Sequence, residues 1–303
     1  MFGGSITLNS SKSKNSLDDS IYTLPGKCPA AFEYTAGLVC RIPDSAKEEI
    51  EKKNGLKFDL ELARKQHERY IITLRKLKVN LFELEADETK PLLLFLDRKA
   101  VVRDGIAFIP RPPVADEQWE EEVTLIKRIL GGGLGQEIVE MDEKGATLDG
   151  GDVLFTGKEF FVGLSSRTNQ KGANSLAKAF PNYNVSGIKV HGHLHLKSMM
   201  SMAGPGIIAV GSSEHAQKAI RQIKKVSNFE YMTVTLPDDA AANCVYINKT
   251  LLHCSEDEFP DSYKVFAEKF PKTSRVPIPN NELFKVDGAL TCKSLLICKK
   301  PKV

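Results

Sequence analysis

Apolar positions along the chain follow two periods, and the two alternate. Leu60, Ala63, Tyr70, Ile71 and Leu74 recur at helical spacing behind Asp59, a residue suited to capping, and predict a helix over about 60–77. Asn80–Leu84 reads as a strand, and the continuous apolar run Leu92–Leu96 is expected to be a strand buried on both faces. Ala100–Val102 and Ile106–Ile109 flank Arg103-Asp104-Gly105, and Asp-Gly between apolar runs is a strong hairpin signal. A helix over about 117–130 and a strand at Ile138–Met141 follow.

The same order returns. Val153–Phe155 and Glu159–Val162 read as paired strands around Thr156-Gly157-Lys158, with a helix over about 169–179 and a strand near 185–190 behind them. Strand Ile207–Val210, helix 213–225 and strand Met232–Leu236 come next. Hairpin strands Val245–Ile247 and Leu251–His253 precede a helix at 261–269 and a strand Arg275–Ile278, and Ser294–Ile297 is a last apolar strand. The unit of hairpin, helix and strand thus recurs four or five times without any matching sequence repeat. Such units can close into a ring around a central site. Residues 1–27 are rich in Ser, Lys, Asn and Gly and lack periodicity, so they are expected to be a flexible tail ahead of one domain over 28–303. Residues 33–41 are read as a loop near the site.

Composition narrows the class. The 303 residues are 42% hydrophobic and 27% charged, as in a soluble globular protein with a real core. A net charge of +3 gives no reason to expect a nucleic-acid or membrane-surface partner. No signal-peptide core and no membrane-spanning apolar window is present. Cysteines 28, 40, 244, 254, 292 and 298 are sparse and form no CxxC pair, which argues against a zinc ribbon or a thioredoxin-like site. Reduced thiols and a cytoplasmic location are expected.

Several stretches carry candidate chemistry. Gly131-Gly132-Gly133-Leu134-Gly135 follows a helix, whereas a dinucleotide loop follows a strand, so these glycines are expected to end the helix. His191, His193 and His195 would share one face of a strand. No cysteine or carboxylate stands nearby at ligand spacing, which favours a catalytic or hydrogen-bonded His195 over a three-histidine metal site. Leu148-Asp149-Gly150-Gly151-Asp152 is either a turn before a strand or a functional carboxylate pair. Cys292 follows Gly288 and opens the last strand, where a thiol can face a pocket, although free cysteines more often pack as small hydrophobes. Met199, Met200 and Met202 read as core, His67 and His215 as surface or satisfied residues, and Trp119 as a pocket or helix-face residue.

LDGGDVLFTGKEFFVGLSSRTNQKG (148–172), HLHLKSMMSMAGP (193–205), LPDDAAANCVYIN (236–248) and KVDGALTCKS (285–294), with Pro29-Ala30-Ala31-Phe32, resemble dimethylarginine dimethylaminohydrolase in unbroken order over about 28–300. The resemblance implies an α/β pentein propeller of five ββαβ-type units about a pseudo-fivefold axis, with the site at the centre. It implies Cys292 as nucleophile, His195 as general acid/base and Asp149 as the carboxylate that orients the histidine. It also implies Arg167 as anchor for a substrate α-carboxylate and Asp287 as a substrate-contacting acid. The expected partner is a small amino acid hydrolysed at a C–N bond, without metal or other cofactor. No oligomeric state is indicated.

One stretch departs from the family pattern, in which two adjacent acids follow an apolar run and another acid precedes them. Here Asp97 keeps one acid, Arg98 replaces the second, and Leu92 stands where the earlier acid would be. An arginine expected within 115–119 is absent as well. A guanidinium held within a few ångströms of Arg98 would cost on the order of several kcal/mol at an effective dielectric near 20. Either Arg98 points away, leaving Asp97 and Asp287 for the guanidinium, or the substrate end is a neutral ureido group whose carbonyl Arg98 stabilises during attack. The sequence reading favours the second: hydrolysis of citrulline to ornithine, ammonia and carbon dioxide. Hydrolysis of dimethylarginine to citrulline and dimethylamine is the alternative, and a catalytically weak binding or regulatory protein is the third.

Overall fold

A computed structural model describes Tyr22, residues 30–115 and residues 117–298. The chain runs β1 (Tyr34–Cys40), α1 (Ser45–Asn54), α2 (Leu60–Lys76), β2 (Asn80–Leu84), then β3 (Val101–Arg103), β4 (Ile106–Ile109), α3 (Glu117–Arg128) and β5 (Glu137–Glu140). It continues with β6 (Val153–Phe155), β7 (Phe160–Leu164), α4 (Gln170–Ala179), β8 (Val185–Lys189), β9 (Met200–Gly204), β10 (Ile207–Gly211), α5 (Glu214–Val226) and β11 (Met232–Leu236). Last come β12 (Val245–Ile247), β13 (Thr250–His253), α6 (Pro260–Lys269), β14 (Ser274–Pro277), the short α7 (Asn281–Phe284) and β15 (Ser294–Cys298).

These strands form five three-stranded sheets of one design. A first strand pairs antiparallel with a second, a helix crosses over, and a third strand returns parallel to the second. The first sheet has its parts permuted: β15 is its first strand and pairs antiparallel with β1, which pairs parallel with β2. The two ends of the described chain are therefore stitched into one sheet. Around the ring β15 packs on β3, β6 on β9 and β9 on β12. Phe108 of β4 shares a core with Val153 and Phe160, and Val39 of β1 shares one with Ile247 and Leu252. Each sheet thus touches the next.

Local chemistry accounts for the elements. The Asp59 carboxylate accepts from the Leu62 N–H at 2.9 Å at the start of α2, and Asn169 and Ser213 cap α4 and α5 in the same way. The β3–β4 turn places Asp104 and Gly105 at φ 51° and 85°, the left-handed pair such a hairpin requires. In α5 the buried residues Ala216, Ala219, Ile220 and Ile223 form one stripe against the core. The glycines after α3 do end that helix, through a wider turn over Ile129–Gly133 with Gly135 at φ 62°.

Three expectations fail here. Leu93–Leu96 is buried and Leu92 half-buried, but the run turns instead of forming a strand, because an apolar run alone does not separate a strand from a buried turn. Residues 34–40 are a strand, not a loop, since β15 and β2 supply partners that lie far away in sequence. His191–His195 is irregular, bent at Gly192 with φ 71°, so its histidines do not share a strand face. Strand β9, unassigned from the sequence, holds Met200 and Met202, buried as expected. Most of the segment read as a flexible tail lies outside the described residues. Tyr22, within it, is buried, donates its N–H to the Lys269 carbonyl at 2.8 Å and stacks on Phe270.

Each sheet's first strand is preceded by a single 3₁₀ turn, at Leu96–Arg98, Gly150–Asp152, Leu196–Ser198, Ala240–Ala242 and Leu290–Lys293. These five turns carry or adjoin most of the candidate residues. The turn at 96–98 packs against those at 150–152 and 290–293, and the turn at 150–152 packs against that at 196–198.

Candidate active site

Close approach at the centre is made possible by two glycines. A Cβ on Gly150 would overlap the Asp97 carbonyl, and one on Gly151 would stand 2.7 Å from the His195 ring. The backbone of 149–152 is therefore wedged between the Asp97 turn and the His195 turn. Asp149 is fully buried. Its Oδ1 accepts the Gly151 N–H at 3.0 Å, and its own N–H donates to the Thr168 hydroxyl at 3.0 Å.

The other carboxylate oxygen of Asp149 gathers cations. Arg167 Nε donates to Oδ2 at 2.7 Å and Arg98 Nε at 3.1 Å, while His195 Nε2 stands 3.2 Å away. The His195 contact is electrostatic, off the line of a hydrogen bond. Burial opposes ionisation of Asp149, but His195, Arg98 and Arg167 outweigh it and hold the carboxyl well below the usual carboxylate range. Asp149 is thus an anion at any working pH.

Asp152, the second acid of the Asp-Gly-Gly-Asp stretch, faces away from this cluster and builds the support. It accepts from the Ser165 and Thr168 hydroxyls, both at 2.7 Å, and from the Leu196 N–H at 2.9 Å, which fixes the residue after His195. Burial raises the Asp152 carboxyl, against the pull of His195 and these donors.

Cys292 sits in the turn before β15. Asp287 takes φ 56°, and Gly288 passes so close to the Phe95 ring that a Cβ would overlap it. The Cys292 N–H donates to the Ala289 carbonyl at 3.2 Å, and the half-buried sulfur lies 4.0 Å from the Asp287 carbonyl. Burial, then the Asp97 carboxylate, push the Cys292 thiol up to about 12, and the Lys197 cation pulls the other way. Asp97 is itself buried, and Lys197 Nζ stands 3.0 Å from its Oδ2. A cavity of about 190 Å³ along the ring interior is lined by Asp97, Gly150, Lys197 and Thr291 on the site side, and the Cys292 sulfur is not among its walls.

The site therefore gathers Asp97, Arg98, Asp149, Arg167, His195 and Cys292, but redistributes their expected parts. Arg98 turns to Asp149, so it neither points away nor stands alone opposite Cys292. Arg167 uses its Nε on the same oxygen, and its terminal nitrogens have no protein partner among the described residues. The Asp287 side chain is exposed, and only its carbonyl approaches the sulfur. His193 pairs with Asp239 at 2.8 Å, His195 faces Asp149 and His191 is exposed, so the three histidines diverge. Trp119 is a helix-face residue under Lys99, 3.8 Å from its ring. Among the described residues no group of three His, Cys, Asp or Glu converges at metal-ligand separation.

Lys197, Thr291 and Asn243 carry no site reading in the sequence, and Asp152 enters there only as half of an undecided carboxylate pair. Each lies inside a stretch that carries the resemblance, but short polar residues there read equally well as turn formers.

No protein-family model matches the chain. It is 36% identical over 256 residues to a human protein named putative hydrolase DDAH2, covering 80% of this chain and 87% of that one. It is 26% identical over 246 residues to the N(G),N(G)-dimethylarginine dimethylaminohydrolase of Pseudomonas aeruginosa, covering 79% and 90%. Among solved structures it is similar to the Pseudomonas aeruginosa DDAH, a cysteine-to-serine variant complexed with citrulline, at TM-score 0.74 and 21% identity, covering 88% of this chain and 100% of that one. It is also similar to the N-terminal domain of ArgZ, a cyanobacterial arginine dihydrolase, at TM-score 0.71 and 16% identity, covering 87% and 98%.

Proposed function

The chain belongs to the dimethylarginine dimethylaminohydrolase family, with its pentein fold of five ββαβ units, and from that premise we propose that it hydrolyses the terminal C–N bond of a guanidino amino acid. Cys292 attacks the guanidino carbon as thiolate. His195 gives a proton to the departing amine nitrogen, leaving an amidino group on the sulfur. His195 then takes a proton from water as that water attacks the same carbon, and collapse frees the thiolate and a ureido amino acid. Asp149, anionic throughout, holds His195 and stabilises its cationic form. The terminal nitrogens of Arg167 suit a substrate carboxylate.

The observation that carries this reading is the thiol beside Asp97. A sulfur pushed up to about 12 by burial and by that carboxylate needs a cation before it ionises near neutral pH. A guanidinium drawn to Asp97 brings one, in competition with Lys197. The test is to supply the purified chain with dimethylarginine, arginine and citrulline and follow citrulline, amine and ammonia. Citrulline and dimethylamine from dimethylarginine are expected. Tight binding of all three without turnover would overturn catalysis and leave a binding protein.

A second reading, hydrolysis of a ureido amino acid such as citrulline, is favoured by Arg98 and Lys197. Both acids at the centre already hold cations, Asp97 with Lys197 and Asp149 with the two arginines. A neutral end group would meet no repulsion there. Ammonia from citrulline, without turnover of dimethylarginine, would select it.

A further inference from the structure

The segment that leads into His195 has little support of its own. Residues 191–194 form no helix or strand, bend at Gly192 with φ 71°, and make no backbone hydrogen bond among the described residues. Their one polar tie among those residues starts two positions before His195, where His193 Nε2 stands 2.8 Å from Asp239 Oδ2. Asp239 is a fixed peg. Its Oδ1 accepts the Ser213 N–H at 3.1 Å, and Gly211 passes so close that a Cβ there would overlap that oxygen. Two positions after His195, the Lys197 carbonyl accepts from Asn243 Nδ2 at 2.9 Å. Asp239 opens and Asn243 closes the single turn at Ala240–Ala242. One turn thus grips the chain on both sides of His195.

We propose that this turn is a clamp that positions His195, with Asp239 acting through His193 and Asn243 through the Lys197 carbonyl. The proposal rests on His195 being the general acid/base. Asn243 is only 2% exposed, and its other bonds reach the turn that carries Cys292: its Oδ1 accepts the Thr291 N–H at 3.0 Å, and its Nδ2 donates to the Thr291 hydroxyl oxygen at 2.9 Å. The orientation of this amide is set by its partners, since a backbone N–H only donates and a carbonyl only accepts. The turn itself is three alanines and brings no reacting group, yet it sets the histidine against the cysteine. Asp239 and Asn243 act on the reaction only through where His195 stands. A shift of about 1 Å in such a group can cost about a hundredfold in rate.

The experiment separates a misplaced histidine from a loosened fold. His193→Phe keeps a ring but removes the nitrogen that faces Asp239. Asp239→Asn keeps the acceptor for the Ser213 N–H and removes the charge. Thermal melts confirm that each variant is folded. Two substrates are followed through the first turnover. One is dimethylarginine, whose amine leaves with a proton from His195; the other is its analogue with a methylthio group in place of the dimethylamino group, which leaves as a thiolate without one. Each variant is expected to release dimethylamine at least about tenfold more slowly, with KM and the release of methanethiol both within about twofold of the wild type. The double variant should fall no further than either single one, because both act through one contact. Asn243→Asp, which keeps the acceptor for the Thr291 N–H and removes the donor to Lys197, should show the same selective loss; where it does not fold, the first two variants decide. Wild-type amine release from any folded one of the three, or an equal fall on both substrates, overturns the proposal. No amine release from the wild type, or release surviving in His195→Ala, would instead remove the reading beneath it.

Discussion

The Nε of Arg98 lies 3.1 Å from Oδ2 of Asp149, the carboxylate oxygen that also faces His195. In the mechanism proposed above, Arg98 therefore acts through the acid that faces the histidine. If the substrate end is a guanidinium, Arg98 is a like charge near its place and opposes binding, while Arg167 alone keeps Asp149 paired. Arg98→Ala is then expected to lower KM for dimethylarginine about tenfold with kcat changed only a few-fold. Steady-state kinetics on both substrates check this. A loss of kcat on citrulline at unchanged KM would mark Arg98 as a transition-state donor and support the ureido reading.

Asp149→Asn keeps the shape of the buried acid but removes its charge. His195 loses the group that stabilises its cationic form, and two half-buried arginines lose their shared anion. A fall in kcat of at least about a hundredfold is expected, by analogy with removing the acid of a hydrolytic triad. The melting temperature should fall with it. Unchanged kcat in a folded variant would show that His195 works without Asp149.

Gly151 tests the wedge. A methyl there would stand 2.7 Å from His195 Cγ and Nδ1, a side chain able to shift, whereas at Gly150 it would overlap the Asp97 backbone, which cannot. Gly151→Ala should fold and lose most turnover as the imidazole is displaced. Gly150→Ala should be destabilised by several kcal/mol, as overpacking against fixed backbone predicts. Circular dichroism melts beside kcat separate the two outcomes, and an active Gly151→Ala would sink the close-packed geometry.

Much of this was legible because the elements repeat a period. Strand β2 and strand β11 fall where alternation places them, and helix α5 follows its apolar stripe. What stayed hidden depends on partners distant in sequence. β1 becomes a strand only because β15 arrives from the other end of the chain. The role of Arg98 could not be read from charge order, because Asp149 lies 51 residues away and only the ring brings them together. Asn243 carries no signal of its own; its meaning is three hydrogen bonds to two other turns. The nucleophile, histidine and acid were named from motif resemblance, whereas their wiring needed coordinates.

Behind Cys292, Lys293 is completely buried, its Nζ donating to the Asn280 side chain at 2.8 Å and resting 4.5 Å from the centre of the Tyr70 ring. Burial pushes its amine down to about 7, against the pull of Glu258 and of Cys292. An unfolded lysine titrates near 10.4. Between those values the unfolded chain binds more protons than the folded one, so stability rises with pH across the window. The cost of the buried charge appears as pH falls from about 10 and is complete below about 7. In the fold His67, which Lys293 also faces, is pushed down to about 3 and the Cys292 thiol up to about 12, so neither titrates there inside that window; the unfolded thiol, at about 8.5, does, but it is common to wild type and variant and drops out of their difference. Lys293→Met removes the titration, and the loss of a donor to Asn280 is independent of pH. Urea unfolding at pH 7.5 and pH 9 should therefore show the wild type gaining about 1 kcal/mol or more relative to Lys293→Met, within the limit of about 1.4 kcal/mol per pH unit for one group. A constant difference would mean that Lys293 stays protonated in the fold, and a permanent cation would then stand behind the nucleophile.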